Sequence, residues 1–116
     1  MAYDPNNVFA RILRGELPCK KVFENEHVLA FHDINPQAPV HVLIIPKKVI
    51  TTPDDVTEND REMLGHLFVI AKKLASQLGL GKGYRLVVNC KEDGGQTVPH
   101  LHVHLLGGRH MTWPPG

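Results

Sequence analysis

The spacing of apolar residues along the chain predicts two helices. Residues 8–13 are mostly apolar, follow a polar start and stop before Gly15, which is typical of a short capped helix. Residues 64–78 carry apolar side chains at three- and four-residue intervals, which predicts one long amphipathic helix ending before Gly79. Thr57 and Asp60 precede this helix at the spacing of a capping arrangement.

Five short apolar segments predict strands. Residues 21–24 and 28–31 are separated by three polar residues, which indicates a β-hairpin. Residues 41–45 form a continuous apolar run rich in β-branched side chains, typical of a central strand buried on both faces. Residues 84–89 predict a fourth strand and residues 100–106 a fifth. The order of elements predicts an α+β domain with a mainly antiparallel five-stranded sheet, one long helix and one short helix.

Composition narrows the class of protein. The length of 116 residues suits a single domain, 1–116, with a Gly- and Pro-rich tail from about 107 to 116. A net charge of +1 gives no electrostatic reason to expect nucleic-acid binding, and no apolar run reaches the roughly 18 residues of a membrane span. The start of the chain lacks the pattern of a secretory signal, so we expect a cytoplasmic protein. Trp113 in the tail is expected to dock on its own domain or on a partner subunit.

Three histidines, His100, His102 and His104, alternate with apolar residues near the C-terminus. On a strand, alternate side chains share a face, so neighbouring imidazoles would be about 6.6 Å apart. Imidazole has an unperturbed pKa of about 6.5, so it can act as a base, acid, nucleophile or metal ligand near neutrality. This row of histidines therefore marks the candidate site.

Two kinds of chemistry fit the row. In a metal site, two of the histidines would share an ion, and a third ligand would have to come from His41 or Asp33. In nucleophilic catalysis, one neutral imidazole would attack phosphorus while its neighbours stabilise the developing charge. Residues 93–97 favour the second interpretation, because their glycines let backbone N–H groups approach a phosphate and Thr97 adds a hydroxyl. We expect no metal and no cofactor.

Residues 95–109 closely resemble the signature of the histidine-triad (HIT) superfamily, in which three histidines alternate with apolar residues. Residues 31–39, together with His41 and residues 45–48, look like the N-terminal half of that family. Residues 113–116 look like the ending of its Hint branch. The resemblance extends from about residue 8 to residue 116 and implies a HIT-like fold.

The resemblance implies a homodimeric hydrolase that cleaves the P–N bond of purine nucleoside 5′-phosphoramidates, derivatives of AMP or GMP, and also acyl-adenylates. It makes His102 the nucleophile that forms a nucleotidyl-histidine intermediate, and His104 a contact of the phosphate. His100 would position the nucleophile through its backbone carbonyl, with His41 as a supporting histidine. Thr97 would serve the phosphate or the leaving nitrogen. A histidine at position 104, where related transferases carry Gln, favours water as the final acceptor.

The same resemblance implies a nucleotide-binding pocket. Asp33 would hold the ribose hydroxyls. The walls of the base pocket would be formed by Phe9, Ile12, Phe31 and Ile34. The phosphate loop would include Asn89, Gly95 and Gln96. Two alternatives to a phosphoramidase stay open from the sequence: a metal-binding protein built on the histidine cluster, and a nucleotide-binding regulatory partner whose turnover is incidental.

Overall fold

The computed structural model describes all residues from 1 to 116 and contains two α-helices and five strands. In chain order these are α1 (Val8–Leu13), β1 (Lys21–Glu24), β2 (Val28–His32), β3 (Val40–Pro46), α2 (Arg61–Gln77), β4 (Tyr84–Val87) and β5 (Val103–Gly107). The strands form one sheet in the order β1-β2-β3-β5-β4, and every neighbouring pair is antiparallel. The predicted α+β class, the hairpin, the central strand and the long helix are confirmed.

Helix α2 covers one face of the sheet. Thr57 and Asp60 form the predicted reciprocal pair of hydrogen bonds, although they cap a short 3-10 turn, Glu58–Asp60, that comes directly before the helix. The main hydrophobic core lies between α2 and the sheet. The strands contribute every second side chain to it, since side chains two residues apart share a face. The cluster contains Val28, Ala30, Val42, Ile44, Leu67, Ile70, Ala71, Leu74, Ala75, Leu80, Val103 and Leu105.

The opposite face carries a smaller apolar cluster and the histidines. Phe9 of α1 packs there with Leu29, Phe31, Leu43 and Ile45. Leu43 pairs directly with His104 across β3 and β5, which places both side chains on this face. His41 lies two positions before Leu43 and therefore shares the face as well. The sheet thus separates the main core from the candidate site.

The first half of the histidine row is not part of a strand, so the predicted strand over residues 100–106 is wrong at its start. Strand β5 begins only at Val103. Before it, the N–H of His100 donates to the carbonyl of Val98, and the N–H of Leu101 donates to that of Ile50. Because of these bonds, the backbone of residues 100 and 101 does not pair with β3 in the sheet. Leu101 is nevertheless buried, so this apolar residue between the histidines still faces the protein interior.

Two other expectations at the edges of the fold need correction. Strand β4 ends at Val87 rather than at Asn89. Trp113 is 82% exposed, so it does not dock on its own domain, although the neighbouring carbonyl of Thr112 accepts a hydrogen bond from Arg85. No helix combines the length and the apolar character needed to cross a membrane.

Candidate active site

A cleft of about 600 Å³ opens on the face of the sheet opposite α2. It is bounded by α1, the end of β2 and the loop that follows, β3 and the histidine row. Nine of the residues singled out from the sequence line it: Phe9, Ile12, Phe31, Asp33, Ile34, His41, Thr97, His102 and His104. The fold therefore gathers into one cleft residues that are spread over almost the whole chain.

His102 carries a lone pair at Nε2. Its Nδ1 lies 2.6 Å from the backbone carbonyl oxygen of His100, and because a carbonyl only accepts, the proton sits on Nδ1. The imidazole is 5% exposed and packs edge-on against Phe9, with ring centroids 4.9 Å apart. Burial lowers the pKa of His102, which favours the neutral form at neutral pH. His102 is thus fixed as a neutral imidazole with one unprotonated nitrogen.

His100 is fully buried and does not line the cleft. Its Nε2–H donates to the carbonyl of Pro46 at 2.8 Å, so its Nδ1 accepts the hydrogen bond from the hydroxyl of Tyr3, also at 2.8 Å. His100 can therefore act on a ligand only through its carbonyl and His102. Tyr3 was not predicted to be near the site, because nothing in the local pattern connects residues 97 positions apart.

His104 is set as a hydrogen-bond donor by its neighbours. The backbone N–H of Gln37 donates to Nδ1 of His41 at 3.0 Å, which leaves the His41 proton on Nε2. That Nε2–H donates to Nδ1 of His104 at 2.9 Å, so the His104 proton in turn sits on Nε2. Nε2 of His104 is buried and has no hydrogen-bond partner. A buried donor of this kind is ready for an acceptor such as a phosphate oxygen.

All four imidazoles of the site favour the neutral form. Burial, assisted by His102 and His41, lowers the pKa of His104 to about 4. Burial also lowers the pKa values of His41 and His100. The histidines therefore bind through hydrogen bonds and a lone pair rather than through positive charge.

Asp33 belongs to a short loop that is tied together by hydrogen bonds. Its Oδ1 accepts from the N–H of Asn35 at 2.8 Å, and the side-chain amide of Gln37 donates to the carbonyl of Asn35 at 3.0 Å. Arg109 then donates twice to the carbonyl of Gln37, at 3.2 Å from Nε and 3.1 Å from Nη2. Asp33 Oδ2 remains 3.4 Å from Nε2 of His41. The roles of Gln37 and Arg109 were not found from the sequence, since they depend on a contact across 72 positions.

The apolar part of the cleft contains buried and exposed residues. Phe9 and Phe31 are buried and meet edge-to-face with their centroids 5.6 Å apart, and Ile12 is half-buried beside them. Ile34, in contrast, is 97% exposed at the rim. It can contact a ligand in the cleft but has no packing role in the protein itself.

Three residues predicted for the phosphate loop, Asn89, Gly95 and Gln96, are not among those that line the cleft. The N–H groups of Gly95 and Gln96 donate to the carbonyls of Glu92 and Lys91, both at 3.0 Å. The buried side-chain amide of Gln96 donates to the carbonyls of Thr51 and Val98.

The hydrogen bonds of Gln96 therefore hold the loop that carries Thr97 in place. Thr97 itself is exposed and lines the cleft. The backbone N–H groups at positions 95 and 96 are already used within their own turn. A direct contact of Asn89, Gly95 or Gln96 with phosphate stays a prediction.

Asp33, His41 and His104 could also be read as a metal site, because their ligand atoms lie within 4.8 Å of one another. A metal ion at this point would need the lone pair of His41 at Nε2. The N–H of Gln37, however, points at Nδ1 and keeps the proton on Nε2. The three side chains therefore fit a series of hydrogen bonds better than they fit the coordination of a metal ion.

Comparison with known proteins agrees with the fold and with the histidine row. The family model for the HIT domain matches residues 14–111. A HIT-like protein of Azospirillum brasilense is 55% identical over 111 residues, 94% of this chain and 91% of the relative. A HIT-like protein of Synechocystis is 50% identical over 111 residues, 96% of this chain and 97% of the relative.

Solved structures are similar over the same range. A HIT family hydrolase from Legionella pneumophila superimposes with a TM-score of 0.93 at 56% identity, covering 96% of this chain and 100% of that one. A histidine triad nucleotide-binding protein from Candida albicans gives a TM-score of 0.80 at 30% identity, with 94% and 83% coverage. The family model, the sequence relatives and the shared fold together show that the chain belongs to the HIT family.

Proposed function

We propose that this protein is a hydrolase that cleaves the P–N bond of purine nucleoside 5′-phosphoramidates, and also acyl-adenylates, through a nucleotide covalently bound to His102. One observation carries the proposal: the bond from Nδ1–H of His102 to the carbonyl of His100 leaves Nε2 unprotonated on a residue that lines the cleft. Neutral imidazole with a free lone pair is the form that attacks phosphorus. The names of the Legionella and Candida relatives, a hydrolase and a nucleotide-binding protein, support the coarser part of the proposal, hydrolysis and nucleotide binding.

In the first step, the Nε2 lone pair of His102 forms a bond to the α-phosphorus while the bond from phosphorus to the leaving nitrogen breaks. The electron pair of that bond stays on the amine, which takes up a proton. Thr97 lies at the cleft, where its hydroxyl can relay that proton from water. The positive charge that develops on His102 is stabilised by the carbonyl of His100, which accepts from Nδ1–H.

The phosphate oxygens gain charge in the same step, and His104 offers the matching donor. Its Nε2–H has no partner in the protein, so hydrogen bonding to a phosphate oxygen satisfies a buried group that is otherwise unpaired. In the second step, water attacks phosphorus, the bond to Nε2 of His102 breaks, and the water proton is released. His102 returns to its neutral form and the nucleoside monophosphate leaves.

The apolar part of the cleft supports a purine nucleoside as the group next to this phosphate. Phe9, Ile12 and Phe31 offer flat and aliphatic surface to a base. Asp33, on the tied loop beside them, offers carboxylate oxygens that can accept from two ribose hydroxyls. A larger purine ring gains more from this surface than a pyrimidine does.

The proposal is tested by turnover on matched substrates. We expect release of amine from adenosine and guanosine 5′-phosphoramidates, with a lower kcat/KM for the uridine compound and none for His102→Asn. The control His27→Asn alters an exposed histidine and should keep wild-type turnover. Absence of amine release from both purine compounds would contradict the function, whereas equal rates with uridine would contradict only the base preference.

We also propose that the protein is a homodimer. Phe68 and Val69 of α2 are 49% and 48% exposed, and Tyr84 on the edge strand β4 is 41% exposed. Exposed apolar side chains and an unpaired strand edge are each typical of a surface that another chain covers. Sedimentation at micromolar concentration should give a dimer, and Phe68→Glu should weaken it. A wild-type monomer at that concentration would contradict the proposal.

A further inference from the structure

The segment before α1 reaches the buried side of the histidine row. Tyr3 lies outside residues 14–111, the part of the chain that the HIT family model matches. Its hydroxyl is nevertheless 2.8 Å from Nδ1 of His100, and the two rings are tilted against each other with centroids 5.7 Å apart. A residue outside the matched domain is thus hydrogen-bonded to the first histidine of the row.

This segment is fixed rather than loose. The side-chain amide of Asn7 donates to the backbone carbonyl of Asp4 at 2.7 Å, and the backbone N–H of Asn6 donates to the carboxylate of Asp4 at 2.9 Å. Asn7 also caps α1 by accepting from the N–H of Ala10. Arg14, beyond the end of the same helix, donates to the carbonyl of Pro5 at 2.6 Å. Tyr3 is therefore presented to His100 by a hydrogen-bonded arm that is continuous with α1.

Tyr3 completes the hydrogen bonding of His100. The ring of His100 is fully buried, and its two nitrogens have one protein partner each, Pro46 on Nε2 and Tyr3 on Nδ1. Without the tyrosine hydroxyl, Nδ1 becomes a buried acceptor with no donor, a state that the ring relieves by rotating towards another donor. Such a rotation disturbs the residue whose carbonyl accepts the hydrogen bond from His102.

We infer that Tyr3 is a positioning residue for the nucleophile and acts through His100. The inference rests on the proposed function, because it concerns the orientation of His102. Tyr3 fixes the His100 ring between two partners, the fixed ring holds the carbonyl of His100 in place, and this carbonyl keeps the His102 proton on Nδ1. Tyr3 does not line the cleft, so it contributes to the chemical step and not to nucleotide binding.

The test compares Tyr3→Phe with Tyr84→Phe, which removes the same hydroxyl from the only other tyrosine of the chain. The readout is the first-order rate constant for adenylylation of His102 in a single turnover with saturating adenosine 5′-phosphoramidate. We expect about a tenfold decrease in Tyr3→Phe, the factor that one neutral hydrogen bond is worth, and none in Tyr84→Phe. AMP affinity should be unchanged in both variants. Loss of folded protein would lower the amplitude and leave this rate constant unchanged.

A second readout does not depend on activity. Nitrogen NMR of the imidazoles should show Nδ1 unprotonated in His100 and protonated in His102 in the wild type. In Tyr3→Phe, the proton of His100 should stay on Nε2, which still faces the carbonyl of Pro46, and its Nδ1 resonance should move to that of a nitrogen that accepts no hydrogen bond. The Nδ1–H proton of His102 should shift upfield as its bond to the displaced carbonyl of His100 weakens. A wild-type rate and a wild-type Nδ1–H resonance of His102 in Tyr3→Phe would overturn the inference. A wild-type protein that forms no adduct would instead contradict the proposed function, and the NMR comparison would then decide the role of Tyr3 alone.

Discussion

Nε2 of His41 and Nδ1 of His104 lie 2.9 Å apart, although 63 positions separate the two residues. Each nitrogen has a defined role, because the N–H of Gln37 occupies the other nitrogen of His41 and so makes Nε2 the donor. The consequence reaches the cleft, where the proton of His104 is left on Nε2. The backbone amide of Gln37 thereby decides whether His104 donates or accepts at the candidate phosphate position.

His104→Ala should lower kcat/KM for adenosine 5′-phosphoramidate by about 100-fold or more, because it removes one preorganised donor from the developing phosphate charge. His104→Gln retains an N–H donor and should recover part of that loss. Steady-state kinetics on the three proteins, with folding checked by circular dichroism, measures the effect. Equal losses in the Ala and Gln variants would show that donation from position 104 is not what matters.

The pH dependence of kcat/KM should show an acid limb below pH 6.5. Protonation of His102 removes the attacking lone pair, so activity falls as the pH drops through the pKa of His102. Burial lowers that pKa from its ordinary value near 6.5, which moves the limb to lower pH. A rate profile between pH 4 and pH 8 on folded protein checks the sign. A limb above pH 6.5 would mean that His102 is not the group that titrates, or is not buried as described.

Chelators should leave the activity unchanged. The chain of hydrogen bonds from Gln37 through His41 to His104 uses the same nitrogens that an ion beside Asp33 would need. Dialysis against EDTA followed by elemental analysis and assay should therefore give a metal-free protein with wild-type kcat. If activity is lost on dialysis and returns with Zn²⁺, the histidine cluster is a metal site and not a hydrogen-bonded chain.

Those parts of the fold that follow from local periodicity could be predicted from the sequence. The long helix, the first hairpin and β3 each repeat apolar residues at the spacing of their own secondary structure. Alternation also predicted that His102 and His104 face one cleft, but it placed His100 beside them, whereas the His100 ring is buried and does not line the cleft. The start of β5 did not, because the N–H of Leu101 pairs with the distant carbonyl of Ile50 instead of continuing the ladder.

The site could be predicted as a set of residues but not as a set of protonated and unprotonated nitrogens. The resemblance to the HIT family gave nine residues that line the cleft. Which nitrogen carries the proton in His100, His41 and His104 depends on contacts made by Tyr3, Pro46 and Gln37, which no local pattern encodes. These contacts exist only once the sheet order brings β3 and β5 together beside the N-terminal arm.

The covalent role of His102 is tested most directly by rapid quenching. Wild-type protein mixed with adenosine 5′-phosphoramidate and quenched in alkali, which spares a P–N bond, should gain the mass of one adenylyl group. Peptide mapping should place that group on His102, and it should be absent from His102→Ala and present in His27→Ala. An adenylyl group on another residue, or wild-type turnover by folded His102→Ala, would contradict the assignment of His102 as the nucleophile.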